Sequence, residues 1–220
     1  MKLKLSKRKR LPTLFLDEFK VAFPLWAYGF VRDIEDSNLM LDETAVHALA
    51  EVQKGFYRPP FSLKYKTVLD LGACCGETAW YYLKLGARKV YCVECDQDRV
   101  SILQRNKKVT GLNLEIIPEP LNLKHLDLSY DFIKCDVEGH EDILLEYKEY
   151  NGSLKPCVLE VHGKERKERF EKNGFRVVKT NAEDLYWIMN NFSDNLAQST
   201  SKQDNIFVQY RIEKPLLTSK

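Results

Sequence analysis

Asp70-Leu71-Gly72-Ala73-Cys74-Cys75-Gly76-Glu77-Thr78 is the stretch that decides the fold. An apolar run, Thr67-Val68-Leu69, leads into it, and a helical run, Ala79 to Leu85, leads out. Strand, tight glycine turn and helix start, in that order, make a nucleotide-type binding corner. Glycine permits positive φ and lets a ligand approach the backbone closely. The spacing D-x-G-x-x-x-G is not the G-x-G-x-x-G of a pyrophosphate site, because Cys74 stands in place of the middle glycine. It is not a P-loop either, since no Gly-Lys-Ser/Thr follows. Glu94 closes the next apolar run, Lys89-Val90-Tyr91-Cys92-Val93, 24 residues after Asp70. An acid ending the second strand of a βαβ unit can accept hydrogen bonds from both ribose hydroxyls. A structural turn would account for the glycines but not for an acid in that place. The expected ligand carries an amino acid and a ribose, which points to S-adenosylmethionine.

Composition bounds the rest. At 220 residues and 44% hydrophobic, the chain fits one domain with an appendage and can bury a substantial core. A net charge of +2 makes no global case for nucleic acid. Positive charge is local: Lys2, Lys4, Lys7, Arg8, Lys9 and Arg10 crowd the first ten residues. Residues 1–12 are expected to be a disordered basic arm, with contact to RNA or anionic lipid as the functional alternative. Pro12, Asp17, Glu18 and Lys20 break the apolar stretch that follows, so no signal peptide is expected. No uncharged run approaches the length of a membrane helix. Cys92-Val93-Glu94-Cys95 has CxxC spacing but no second pair to complete a zinc site. The six cysteines suit a reduced, cytoplasmic compartment.

Residues 13–62 precede the alternating pattern and are expected to cover the core or to form part of a substrate site. Within them 42–53 reads as a helix with Asp42 as N-cap. The core domain is expected over 63–213, followed by a tail at 214–220. Strands are expected at 66–71, 89–94, 113–117, 131–136, 157–162, 175–180, 185–189 and 206–212. Helices are expected at 77–86, 97–109, 140–149 and 163–172, and residues 191–204 read as a polar loop. Alternation of strand and helix implies a parallel sheet with helices on both faces. The ending lacks crossover helices, so an antiparallel hairpin is expected there. Together these make an α/β, Rossmann-like arrangement that resembles the class I methyltransferase fold: a mostly parallel seven-stranded sheet with an N-terminal extension.

Two strands carry charges where a buried parallel strand should be apolar. In Asp131-Phe132-Ile133-Lys134-Cys135-Asp136, residues 132, 134 and 136 share a face; in Cys157-Val158-Leu159-Glu160-Val161-His162, residues 158, 160 and 162 do. Lys134 and Asp136 are therefore expected beside Glu160 and His162, at the carboxyl ends of their strands, where open α/β sheets bind ligands. Buried charges need partners, and Lys134 with Glu160 is the expected pair. Asp136, Glu138, His140 and His162 have the chemistry to bind a divalent ion, but no ligand spacing compels one and no metal is expected.

The run Asp131 to Glu141 resembles the K-x-D-x-E-G-x-E signature of FkbM-type methyltransferases, through Lys134, Asp136, Glu138, Gly139 and Glu141. Asp70 to Thr78 resembles that family's first motif. Val90 to Glu94, Leu159 to His162 and Gly174-Phe175 match its later strands. The resemblance covers roughly residues 64–180; the N-terminal region has no counterpart, and Cys74-Cys75 is unusual. It implies S-adenosylmethionine-dependent transfer of a methyl group to a hydroxyl of a sugar or small metabolite. Carried over by position, Asp70, Gly72, Ala73, Gly76 and Glu94 would hold the cofactor, with Asp70 toward the methionine amino group and Glu119 toward the adenine edge.

Methyl transfer to a hydroxyl is an in-line displacement that needs a base. Asp136 and His162 are the candidates, Glu138 a ligand for substrate hydroxyls, and Lys134 a group that steers the carboxylates or stabilises an oxyanion. RNA methylation at the ribose 2′-hydroxyl is the alternative, with the basic arm as tether. An Asn/Asp-Pro-Pro-aromatic motif for amine methylation is absent, and Pro156-Cys157 enters a strand instead of ending one. A cofactor-binding scaffold is the non-enzymatic reading. The missing G-x-G-x-x-G weighs against a nicotinamide-dependent oxidoreductase.

Overall fold

A computed structural model of the chain describes residues 37–53, 55–180 and 185–190, together with three short strands ahead of them. These strands, β1 (Leu3–Ser6), β2 (Thr13–Leu16) and β3 (Val21–Pro24), pair antiparallel in the order β1-β2-β3. Residues 3–6, expected within a disordered arm, are thus strand. Leu3 pairs with Leu16 and Ser6 with Thr13, so the boundary expected at residue 12 falls inside a paired ribbon. Apolar residues at 3, 5, 14 and 16 carry the strand period, and the lysines and arginines around them obscure it.

Helix α1 (Glu43–Gln53) follows, capped as expected: Ala45 N–H donates to Asp42 Oδ1 at 2.7 Å. The alternating region then runs β4 (Thr67–Leu71), α2 (Glu77–Lys84), β5 (Lys89–Val93), α3 (Gln97–Thr110), β6 (Leu114–Ile117), β7 (Phe132–Cys135), α4 (Ile143–Asn151), β8 (Cys157–His162), α5 (Lys164–Lys172), β9 (Phe175–Thr180) and β10 (Leu185–Asn190). Seven strands form one sheet in the order β6-β5-β4-β7-β8-β10-β9. Strands β4 to β8 pair in parallel, and β10 lies antiparallel to both β8 and β9. The mostly parallel sheet and its antiparallel hairpin are as expected. The last described strand of the sheet ends at Asn190; the loop expected over 191–204, the strand over 206–212 and the tail over 214–220 lie outside the described residues.

Strand alternation splits the core in two. Val68, Val90, Cys92, Leu114, Phe132 and Val158 point to one face, against Trp80, Tyr81 and Tyr82 of α2, Leu103 of α3 and Leu49 and Val52 of α1. Leu69, Leu71, Ile133, Cys135, Leu159 and Val161 point to the other, against Leu144 and Tyr147 of α4 and Phe170 of α5. Helices therefore cover both faces. Tyr57, Phe61 and Leu63 belong to the first core, so the segment before β4 packs directly on the sheet's first face.

The chain leaves β4 outward to β5 and β6, then returns to place β7 on the other side of β4. The loops after β4 and β7 part at this switch point and leave a crevice. Helix α4 starts at Ile143, later than expected, because Glu138 (φ 50°) and Gly139 (φ 104°) make a left-handed turn ahead of it.

Candidate active site

The loop after β4 is held by backbone hydrogen bonds. Gly72 and Ala73 donate N–H bonds to Val93 O at 3.0 and 3.1 Å. Gly72 sits at φ 73°, and a Cβ there would lie 1.8 Å from the backbone oxygen of Asp136. Only glycine lets the β4 and β7 loops come this close. Gly76 instead serves the helix. At φ 86° it starts α2, and a Cβ would press within 2.5 Å of Leu103 Cδ1.

Gly72, Glu94, Glu119, Asp136, Glu138 and His140 are among the residues that line a cleft of about 450 Å³ over the crevice. Val93, Leu121 and Val137 supply apolar walls. Glu94 is buried at its base. Its Oε2 accepts from Cys74 N–H at 2.9 Å, and its Oε1 accepts from the N–H groups of Cys95 and Asp96 at 2.8 and 2.9 Å. A carboxylate offers about four lone-pair directions. The backbone fills three, so one is left on Oε2 for a ribose hydroxyl, where two were expected. The volume falls within the range of about 300–1,000 Å³ that small-molecule sites occupy. An adenosine-bearing cofactor therefore fits these residues. Glu119 is at the rim, tied to His125 Nε2 at 2.7 Å, which holds its carboxyl below the usual range. Nδ1 of His125 accepts from Asn122 N–H, so Nε2 carries the proton.

Three expected cofactor residues are behind the cleft instead. Asp70 is fully buried, with Oδ2 accepting from Thr78 Oγ1 at 2.5 Å and Oδ1 3.3 Å from Lys134 Nζ. Burial pushes its carboxyl up, and Lys134 beside it offsets only part of that rise. Ala73 and Gly76 are likewise packed away from the cleft. Position 70 is inside the strand, where alternation aims the side chain at the core.

The expected Lys134–Glu160 pair does not form. Register sets Lys134 opposite Asp70 and Val158, one step short of Glu160. Lys134 Nζ donates to Gly72 O at 2.6 Å and lies 3.9 Å from Asp136 Oδ2. Burial works against its charge, but Asp70, Asp136 and Glu77 together outweigh burial and raise its pKa. Lys134 thus braces the glycine loop from beneath.

Glu160 is held by Tyr57, whose hydroxyl donates to Glu160 Oε2 and also lies 3.1 Å from Asp136 Oδ2. Burial, then Asp136 and Glu51, push the Glu160 carboxyl up to about 8. Burial and the same three carboxylates push the Tyr57 phenol well above its ordinary value. His162 Nδ1 meets buried Glu141 Oε1 at 3.0 Å, and Nε2 is 3.3 Å from Glu138 Oε2 and 3.8 Å from Glu160 Oε1. The hydrogen bond to Glu141 raises His162 to about 9. A raised pKa favours the charged imidazole, which donates a proton more readily than it takes one. Glu141 in turn is pulled below its usual range: the bonds from His162 and Gly139 N–H outweigh its burial. Arg166 Nε stands 3.4 Å from it and 3.0 Å from Asp142 Oδ2.

The site thus brings together Gly72, Glu94, Glu119, Asp136 and Glu138 on the cleft, with Glu160 and His162 behind Asp136. Tyr57 was missed, since a lone tyrosine ahead of Arg58-Pro59-Pro60 carries no spacing signal. Glu141 was visible as the last acid of the K-x-D-x-E-G-x-E run but had no role assigned. Each of the six cysteines is a free thiol, with Cys92 buried and Cys95 exposed. No helix among the described residues is long and apolar enough to cross a membrane.

No protein-family model matches the chain. It is 27% identical over 133 residues to the ribosomal RNA small subunit methyltransferase G of Mycoplasmopsis pulmonis, a match that spans 58% of this chain and 59% of the relative. The chain therefore covers about three fifths of the length of that curated relative. Among solved structures, it superimposes on precorrin-6Y C5,15-methyltransferase from Geobacter metallireducens with a TM-score of 0.51, 17% identity, and coverage of 71% and 92% of the two chains. The C-terminal domain of the Rhodobacter capsulatus enzyme of that name gives a TM-score of 0.50, 12% identity, and coverage of 69% and 90%. At these identities the likeness establishes the fold: Rossmann-like, of the class I methyltransferase type.

Proposed function

We propose that this chain is an S-adenosylmethionine-dependent methyltransferase acting on a hydroxyl of a sugar or small metabolite. The observation that carries this reading is Glu94. It is a buried carboxylate clamped by three backbone N–H groups in a cleft that Asp136 also lines. The resemblance of the Asp131–Glu141 run to FkbM-type enzymes supports the acceptor class.

When bound, S-adenosylmethionine supplies an electrophilic methyl group on a sulfonium. The free direction on Glu94 Oε2 would take a ribose hydroxyl and fix the nucleoside end. Backbone at Gly72 and Val137, with Leu121, would narrow the cleft so that the reacting atoms meet in line. Asp136, which stands on the cleft, would accept the acceptor hydroxyl's proton as oxygen attacks. His162, oriented by Glu141, would stand between Glu138 and Glu160 beside it. Lys134 would act as a positioning residue, since its Nζ contacts loop backbone and not the cleft.

Calorimetry with S-adenosylhomocysteine tests the first half of this reading, and transfer of labelled methyl into fractionated cell extract tests the second. Label in a nuclease-resistant glycan or small-molecule fraction, lost in Asp136→Asn, is the expected result. Label that nuclease releases from acid-precipitable material would refute the acceptor class. It would favour RNA as the acceptor, with the ribose 2′-hydroxyl as the candidate position; the name of the 27%-identical relative and the lysines and arginines of residues 2–10 support RNA.

A further inference from the structure

Three side chains from the ends of β7 and β8 converge behind the cleft. One ligand atom each from Asp136, Glu160 and His162 lie within 4.8 Å of one another. Two carboxylates and an imidazole are hard to borderline donors, the set that suits Mn²⁺, Mg²⁺ or Zn²⁺. We propose that this trio is a divalent-cation site at the methyl-acceptor side of the cleft.

The surroundings favour an ion over an accidental meeting of acids. Glu160 is only 6% exposed, yet among the described residues no donor within hydrogen-bond distance reaches its Oε1, while Tyr57 occupies Oε2. The free oxygen faces His162 Nε2. That ring is oriented from behind: buried Glu141 takes Nδ1, and Glu141 is itself fixed by Gly139 N–H and Arg166. Carboxylate to imidazole to an outward nitrogen is the arrangement that aims a histidine at a metal, and the ion would displace the proton on Nε2. The nearby cations are committed elsewhere. Lys134 binds Gly72 O and Asp70, and Arg166 binds Asp142, His162 O and Gly139 O. Glu138, whose side chain is 73% exposed, can swing aside or join as a further ligand.

The inference rests on the hydroxyl-methylation reading and deepens it. Asp136 belongs both to this trio and to the cleft wall, so the ion would face the acceptor. A bound cation lowers the pKa of a coordinated hydroxyl, and it can hold two neighbouring hydroxyls of one substrate at once. The second carboxylate oxygen of Asp136 would remain to receive the proton.

The full-length protein, stripped with EDTA, is first tested for S-adenosylhomocysteine binding by calorimetry. It is then titrated with Mn²⁺ alone while free Mn²⁺ is followed by electron paramagnetic resonance. Saturable binding of a single ion per chain is expected. Glu160→Gln and His162→Gln should weaken it by about tenfold or more, and Glu149→Gln on the exposed side of α4 should not. Circular dichroism and S-adenosylhomocysteine affinity report whether each variant has folded. His162→Gln, at a half-buried and not a sealed position, keeps the test open if Glu160→Gln does not fold. Mn²⁺ bound no more tightly by the wild type than by folded variants overturns the ion site, whatever the cofactor result. Mn²⁺ bound through the trio without S-adenosylhomocysteine binding upholds the ion site and sinks the methyltransferase reading.

Discussion

Replacing Gly72 with alanine tests the contact on which the cleft is built. The residue stands at φ 73°, and the new Cβ would meet Asp136 O at 1.8 Å. Two costs add. A non-glycine residue in the left-handed region loses about 1–2 kcal/mol. Forcing a methyl into backbone that must then retreat by more than an ångström costs about 1–3 kcal/mol. The sum, about 2–5 kcal/mol, would lower the melting temperature by about 4–20 °C for a chain of this size. Gly111→Ala is the matched control. It has nearly the same φ, 67°, but nothing lies within 4 Å of its Cβ. Only the conformational cost applies there, and stiffening of the unfolded chain offsets about 0.4–1 kcal/mol of it. Thermal melts of both variants isolate the steric part as their difference. Because Gly72→Ala must move Asp136, methyl transfer should also fall by about a hundredfold. Equal melting temperatures for the two variants would refute the close approach of the β4 and β7 loops.

Other perturbations separate the cofactor side from the brace beneath it. Glu94→Gln sets an amide N–H₂ against backbone donors; S-adenosylhomocysteine affinity measured by calorimetry should fall about tenfold or more, and an unchanged affinity would remove Glu94 from the cofactor site. Lys134→Met leaves Asp70 buried with Thr78 as its hydrogen-bond donor; denaturant unfolding should show a loss of about 3–5 kcal/mol, partly restored by adding Asp70→Asn. Glu77 is buried, and its pKa is raised well above 4.5, chiefly by burial. The folded state therefore holds this proton more tightly than the unfolded state. The stability it contributes is full below about pH 4.5 and is lost as pH rises toward the folded pKa, at about 1.4 kcal/mol per unit. Glu77→Gln should remove that decline, so its advantage over wild type in denaturant titrations should grow between pH 5 and pH 7; a constant difference would refute the assignment.

Much of the architecture was legible because parallel strands write a simple code. Apolar runs at 67–71, 89–93 and 157–162 flanked by helical segments leave little choice of topology, and Pro118 and Pro120 mark where β6 must stop. Glu94 and Asp136 were legible for the same reason: each stands just past a strand end, where the side chain leaves the sheet. Lys134 misled because face and depth are separate facts. Alternation says which way a residue points, whereas inter-strand register decides what it meets, and a single step set Lys134 against Asp70 instead of Glu160. Tyr57 was illegible because its partners, Asp136 and Glu160, are 79 and 103 residues away in sequence. Contacts of that range come from packing, through Phe61, Leu63 and Tyr82, and leave no local pattern.

Tyr57 also divides the molecule's inheritance in two. Its hydroxyl reaches the carboxylates at the ends of β7 and β8, while its backbone oxygen is anchored by Tyr82 of α2. On the proposed function the Rossmann-like unit would supply the cleft that grips a nucleoside, and the segment before it supplies the phenol beside Asp136. A lineage that kept 67–190 and exchanged 43–61 would retain its grip on the nucleoside while presenting a new surface to whatever accepts the methyl group. Diversification of such proteins would then be concentrated ahead of the first parallel strand. A chimera that carries a foreign leader segment is the protein in which to look for an altered acceptor with an unaltered cofactor affinity.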